Sequence, residues 1–387
     1  MISVDQALSE VLSRRPAPAS EPVALKDALG RKTSSDILSP VDLPLFDNSA
    51  MDGYAVGACD RDRWQVVGEV RAGTARPDQL GPGEAVRVFT GAKLPPGTVA
   101  VLMQEDAHIE AGSLRALVPV RPGAHVRYRG EEIQSGSLLV AGGTRLTPPV
   151  CATLAAVGLD TVEVQARQLV SVVCTGDEVV APGGHLDDGK IFESNGTAVV
   201  SSLQSLGFKA DVRRMPDDES SLAVAFRVVA EKHDVLVTTG GVSVGDYDHV
   251  VAAAQSAGFD LVFHGVAMKP GKPIAFGVHP SGCAWFGLPG NPMSAMVGLL
   301  LFVAPYLGVP LRRLRLSLAE EITQGGGREE YVPGCLTDKG QVVATPTIGS
   351  HAQKGLVDAD LLIRVPIGAT LETGDFAEVL LLPWRNA

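Results

Sequence analysis

What this 387-residue chain has little of already narrows its function. Its five cysteines, Cys59, Cys151, Cys174, Cys283 and Cys335, are odd in number, far apart and never spaced Cys-x-x-Cys. That excludes a disulfide framework and a cysteine zinc site, and fits a reducing, cytoplasmic compartment. Basic charge is short: 33 Lys and Arg against 44 Asp and Glu leave a formal net charge of −11. Nucleic-acid binding draws on clustered cations, so none is expected, and an anionic ligand would need a local basic site. The longest uncharged apolar run, AMVGLLLFVAPYLGVPL from 295 to 311, is interrupted by Pro305 and Pro310. It falls short of the ~20 residues of a membrane span and reads as a buried helix. The start, MISVDQALSEVL, carries Asp5 and Glu10 where a signal peptide would be basic. It reads as an amphipathic helix, with Ser3 and Gln6 at capping-box spacing and Ala7, Leu8, Val11 and Leu12 on one face.

Charged residues at 20% and hydrophobic ones at 45% place the chain among soluble globular proteins, long enough for two to four domains. The first forty residues read as helical, ended by the two prolines of SPVDLPLFDN. Short β-prone runs separated by Gly and Pro turns, such as WQVVGEV, AVRVF and VAVLMQ, then form a module over 42–140. A helical stretch follows Pro149 and stops at Gly158; packed against the N-terminal helix, it would make the β module an insertion into a helical domain of residues 1–41 and 141–167. Over 168–310, continuous apolar runs (LVSVVCTG, DVLVTTGG, PIAFGV) alternate with helix-length segments. Strands buried on both faces read this way, so the expectation is a three-layer α/β domain with a parallel sheet. Residues 311–387 return to short runs between turns, a small C-terminal β-barrel domain.

Ligands of a parallel α/β sheet bind beyond the carboxyl ends of its strands. One such end reads TTGGVSVGDYD. Gly240, Gly241 and Gly245 allow a tight turn and a close backbone approach, Ser243 can donate to an oxyanion, and Asp246 and Asp248 can hold a Mg²⁺ that bridges to phosphate. A structural turn capped by Asp is the plain alternative. Two further strand ends carry acids: Thr175, Gly176, Asp177 and Glu178 in one, Asp217 and Asp218 in the other, where helix capping is the alternative for at least one of the pair. In MKPGKP, Pro270, Gly271 and Pro273 stiffen the backbone around Lys269 and Lys272, which suits an anion. GLPGNPMSAM then leads through Pro289 and Pro292 into the buried helix. In the N-terminal half, LPLFDNSAMDGYAV gathers Asp47, Asn48, Ser49, Asp52 and Tyr54, FTGAKLPPG places Thr90 in a loop, and RYRGEEI sets Glu131 and Glu132 beside Arg127 and Arg129. Ordinary surface ion pairs would explain the last.

In this order along the chain, FDNSAMDGYAV, FTGAKLP, YRGEEI, TGDEV, TTGGVSVGDYD, MKPGKP and GLPGNPMSA resemble the molybdopterin molybdenumtransferases of the MoeA type, related to the C-terminal domain of gephyrin. The resemblance implies four domains, the sheet domain being of the molybdopterin-binding type. It implies a homodimer whose active site lies between the sheet domain of one protomer and the first two domains of its partner. The implied reaction takes adenylylated molybdopterin and molybdate, cleaves the pyrophosphate bond with Mg²⁺ present, and gives AMP and molybdenum cofactor. Partners would include the molybdopterin-adenylating protein and molybdoenzyme maturation factors. Position by position, Asp52, Thr90, Glu132, Glu178, Lys269 and Lys272 match catalytic positions. Gly240, Gly241, Ser243, Gly245, Asp217, Asp248, Pro289, Pro292, Arg328 and Ser350 match substrate-binding ones, and Asp248, Glu178 and Asp217 the metal set.

The chain departs from the family pattern at three points. Glu132 stands where Asp is usual, Gly265 replaces a frequent Lys four residues before Lys269, and Pro333 replaces a second Arg. Loss of an oxyanion donor can cost several kcal/mol in a transition state, so Gly265 and Pro333 motivate a second reading, a weakened paralogue that binds a pterin or nucleotide or acts as a scaffold. A third, a nucleotide-cleaving enzyme of the competence-damage type, shares only the sheet domain and leaves the N-terminal motif and C-terminal β region unexplained.

Overall fold

The computed structural model describes residues 1–76, 78–242, 249–323, 326–346 and 349–384. Two compact units emerge, Met1–Ala17 together with Arg167–Ala387, and Pro18–Ala166.

The first unit begins with helix α1 (Val4–Ser13), whose Ser3 and Gln6 form the expected capping box. Val4, Ala7 and Val11 are buried, whereas Leu12 is exposed, which shifts the buried face by one position from that anticipated. The helix ends at Ser13, and Ser20–Ala24 is a strand, so the first forty residues are not a helical block. Pro16, Pro18 and Pro22 supply the reason: each lacks the N–H that a continuing helix would need.

Six strands form the central sheet: β1 (Val170–Thr175), β2 (Ala210–Met215), β3 (Val235–Thr239), β4 (Asp260–His264), then, after a short strand β5 (Met268–Lys269) that lies elsewhere, β6 (Ala275–Val278) and β7 (Ala284–Leu288). The order is β2-β1-β3-β7-β6-β4. The first four are mutually parallel. β6 runs antiparallel to both of its neighbours, β7 and β4, a difference from the all-parallel expectation. The cause is the tight His279–Cys283 connection, closed by His279 N–H to the Cys283 carbonyl at 2.8 Å, which leaves no room for a crossover between β6 and β7. Every residue of β1, β3 and β7 is buried, as the continuous apolar runs required.

Helices α2 (Asn195–Ser205), α3 (Glu219–Lys232), α4 (His249–Ser256) and α5 (Pro292–Gly298) flank the sheet. Beyond α5 the uncharged run continues through a π-helical stretch, Leu299–Val303, into Ala304–Tyr306, all of it buried. Among the described residues no helix is long and apolar enough to cross a membrane. The C-terminal segment adds β8 (Arg313–Ser317), β9 (Glu329–Leu336), β10 (Leu361–Val365) and β11 (Phe376–Leu381), in the order β5-β9-β10-β11-β8 with Val342–Ala344 on β9. Leu362, Leu380 and Leu382 share one core with Val172, Phe286 and α1, so sheet domain and C-terminal segment are packed together.

The second unit is built on a six-stranded sheet containing Gly53–Val56 between Glu84–Val88 and Ala100–Met103. The helix Pro148–Ala156 packs inside this unit, its Leu154 buried with Ala28, Val140, Leu146 and Val164. The expected packing of this helix on α1 is thereby corrected, because α1 spends its apolar face on the core of the first unit.

Gly53 of the DGYAV motif lies where a Cβ would sit 2.1 Å from the Leu102 carbonyl oxygen of the neighbouring strand. Gly53→Ala should therefore destabilise the second unit by roughly 2–3 kcal/mol, seen as a lowered urea midpoint.

Candidate functional site

The carboxyl ends of the four parallel strands open on a cavity of about 750 Å³. β1 contributes Thr175, Gly176 and Glu178, β2 contributes Asp217, β3 contributes Gly240 and Gly241, and β7 leads to Pro289 and Pro292. Six of the residues matched to site positions, Glu178, Asp217, Gly240, Gly241, Pro289 and Pro292, thus line one space, together with Thr175 and Gly176 of the same acid-bearing strand end. Ser243, Gly245 and Asp248, with Asp246, lie outside the described residues.

The glycines are there for steric reasons. Gly240 has φ +91° and a Cβ would come 2.9 Å from the Thr175 carbonyl oxygen; Gly241 has φ +60° and a Cβ would strike Val250 at 2.6 Å. Two adjacent left-handed residues turn the chain sharply off β3 and bring bare backbone to the cavity wall. The acidic pair of the β2 end divides its work. Asp218 caps α3, accepting the Ser221 N–H at 2.8 Å, while Asp217 lines the cavity. Its cap bonds from Ser221 hold the Asp218 carboxyl below the usual range.

Several wall residues escaped the sequence reading. Glu193, buried, accepts the Gly196 N–H at 2.5 Å and the Thr197 N–H at 3.2 Å at the start of α2. Asn195 donates to the Gly290 carbonyl at 2.7 Å, and among the described residues its buried Oδ1 finds no hydrogen-bond partner, nor does the buried hydroxyl of Thr175. Both residues line the cavity. Buried polar atoms without partners are costly unless a ligand or water completes them, so they mark where one would bind. Cys174 is also in the wall, but burial pushes its thiol up to about 11, which removes thiolate chemistry at neutral pH.

A second cavity of about 300 Å³ adjoins the first, sharing Pro273 and Asn291 with it. Here the structure gathers Lys269, Lys272, Arg328 and Ser350, with Glu330, Ser294 and Pro333. β5 runs parallel to the start of β9, pairing Lys269 with Glu330. Asn291 Nδ2 donates to Ser350 Oγ at 3.3 Å, tying the wall between the two cavities to the C-terminal segment. Gly265, where the family often has Lys, carries φ +96°. A side chain there would be strained, so this backbone is shaped around glycine.

Asp52, Thr90 and Glu132 belong to the other unit. Thr90 donates both its N–H and its hydroxyl to Asp52 Oδ1, each at 2.8 Å. Those two bonds hold the Asp52 carboxyl below the ordinary range, helped by Arg87. The stabilisation they give is present above the unfolded carboxylate pKa and is lost as pH falls through the lower folded value. Arg87 lies over the rings of Tyr54 and Phe89, 4.8 and 5.3 Å from their centroids. Glu132 is exposed and its N–H bonds the Leu43 carbonyl at 3.0 Å. The ion pairs expected of this loop go elsewhere: Arg129 pairs with Asp42 at 2.6 Å, and Glu131 accepts the Tyr128 N–H at 2.8 Å. A short carboxylate facing across the loop reaches both the Arg129 side chain and the Ser135 N–H, which sequence neighbours of Arg129 cannot.

The strand ends of a parallel α/β sheet, where ligands of such sheets bind, thus open on an acid-lined cavity beside a smaller basic one walled in part by the C-terminal β segment. Comparison with known proteins gives the family. Residues 2–158 match the MoeA N-terminal region (domain I and II), 171–308 the probable molybdopterin binding domain, and 315–382 the MoeA C-terminal region (domain IV). The molybdopterin molybdenumtransferase of Haemophilus influenzae is 38% identical over 79% of this chain and 77% of its own length; that of Bacillus subtilis is 33% identical over 100% and 95%. A MoeA molybdopterin biosynthesis protein of Pyrococcus horikosii superposes with TM-score 0.87 at 32% identity, covering 99% of both chains. The chain belongs to the MoeA family of molybdopterin molybdenumtransferases, enzymes of molybdenum cofactor biosynthesis.

Thr175→Val keeps the shape of the side chain and removes the unpartnered hydroxyl. The empty protein should become more stable, by about 1 kcal/mol, while affinity for a nucleotide such as AMP falls; thermal melts and titration calorimetry check the two halves.

Proposed function

We propose that this enzyme inserts molybdate into adenylylated molybdopterin and releases AMP. The observation that carries the reading is the shared wall: the acidic strand-end cavity and the basic cavity meet at Pro273 and Asn291, so a phosphorylated ligand in one lies beside an anion in the other. The backbone at Gly240 and Gly241, the Thr175 hydroxyl and Asn195 would receive the nucleotide phosphate. Lys269, Lys272, Arg328 and Ser350 would hold molybdate by charge and hydrogen bonding. Pro289 and Pro292 stiffen the loop that carries Asn291.

Among the described residues no three His, Cys, Asp or Glu side chains cluster as a metal cage. Mg²⁺ does not need one, since it keeps several waters and takes one or two carboxylates with phosphate oxygens. Glu178 and Asp217 on one cavity wall fit that requirement, with Asp248 the third proposed ligand. When bound, the ion neutralises charge on the pyrophosphate oxygens. The residues of the chain orient the two anions and exclude water around them.

The proposal extends to a cytoplasmic homodimer in which Asp52, Thr90 and Glu132 serve catalysis. It also takes the finer division at 1–41 with 141–167, 42–140, 168–310 and 311–387 as four domains, with helix α1 of the first packed on the core of the third. The adenylating enzyme and molybdoenzyme maturation factors would be its cellular partners. Light scattering on the purified protein tests the dimer.

The decisive assay is AMP release from adenylylated molybdopterin with Mg²⁺, with and without molybdate. Molybdate-dependent release is expected; tight binding without release would favour the paralogue reading that Gly265 and Pro333 suggested. Lys272→Ala should raise the molybdate KM several-fold, a modest factor because the side chain is exposed and its charge is screened by solvent, with AMP affinity little changed.

A further inference from the structure

The basic cavity contains a residue that does not belong in an anion site. Glu330 forms part of its wall, and its Oε1 lies 2.9 Å from Lys269 Nζ. The carboxylate is the fixed member of the pair: its side chain is 12% exposed, that of Lys269 55%. Register explains why, since Glu330 is set by the β5–β9 pairing and by β10, where it faces Val365, while the lysine reaches out from a two-residue strand. Among the described residues, three cations and one carboxylate therefore line a space of about 300 Å³. A structural role in aiming Lys269 would explain the contact, but it does not explain a negative charge in so small an anion cavity, where a glutamine could make the same hydrogen bond.

We propose that Glu330 is a built-in counter-ion that weakens the hold of the basic cavity on an oxyanion, so that the bound dianion can be surrendered. The inference rests on the reading of this cavity as the molybdate site. It has two physical parts. An arriving anion must compete with Glu330 for Lys269, and the carboxylate repels the anion directly. Coulomb repulsion scales with ligand charge, so a dianion feels it twice as strongly as a monoanion of the same shape. Removing the charge should then tighten a dianion by the square of the factor gained by a monoanion.

Binding of molybdate and of perrhenate, both tetrahedral, is measured by titration calorimetry on the full-length wild type, Glu330→Gln, Glu330→Ala and Glu330→Asp. The two neutral variants are used together so that poor folding of one does not decide the result. Expected is a gain on the order of tenfold for molybdate and about threefold for perrhenate in the neutral variants, with Glu330→Asp close to wild type. Wild-type binding of molybdate that is unchanged or weakened in the folded neutral variants overturns this inference alone and makes Glu330 a positioning residue for Lys269. Equal gains for the two anions overturn the charge mechanism. Wild type that binds neither anion overturns the molybdate-site reading and this inference with it.

Discussion

The structure depends on the complete burial of three adjacent strands. β1, β3 and β7 expose no side chain on either face, and polar ones along them are spent internally, Ser171 donating to Asp211 and Thr238 accepting from Trp285, so the chemistry is pushed to the strand ends. At the carboxyl ends the chain must leave the sheet quickly, because the next helix packs directly on it. Gly240 and Gly241 make that exit possible and, in doing so, leave backbone rather than side chain at the cavity wall. Stability and function draw on the same constraint: the apolar strands that hold the sheet together also align four chain exits around one space.

Much of this could be read in the sequence, and the reasons are physical. Short Val-rich runs bounded by glycine and too brief for a helix suit strands buried on both faces, and prolines framing Lys269 and Lys272 mark a stiff segment whatever surrounds it. Six of the proposed residues meet in the strand-end cavity and four more in the basic one. The misreadings have equally definite causes. The first forty residues were periodic enough to suggest a helix, but three prolines after Ser13 outweigh that pattern. The direction of β6 depends on a short connection, and direction leaves no trace in hydrophobic periodicity. Asp217 and Asp218 are chemically identical, and only the start of α3 determines which of them caps it. Glu330 could not be found at all, because its partner is sixty-one residues away and its burial follows from strand register.

The departures from the family pattern look different once placed in three dimensions. Gly265 sits at a positive φ and its neighbour His264 is held by the Val242 carbonyl at 2.7 Å, so a lysine placed here would be strained and could not simply restore a charge. Pro333 lies in the wall of the basic cavity, where an arginine would add a fourth cation. Glu132 stands on an exposed loop latched by Asp42 and Arg129, where one extra methylene meets no packing constraint.

The pairing of β5 with β9 joins two stretches of chain through two residues each. Lys269 and Lys272 come from the sheet domain, Arg328 and Ser350 from the C-terminal segment, so neither part possesses the basic cavity by itself. A sheet domain standing alone could still present the cavity at its strand ends, but only Lys269 and Lys272 of the second. Adding the C-terminal segment to such a domain therefore supplies more than bulk: it sets a basic enclosure beside an acidic one.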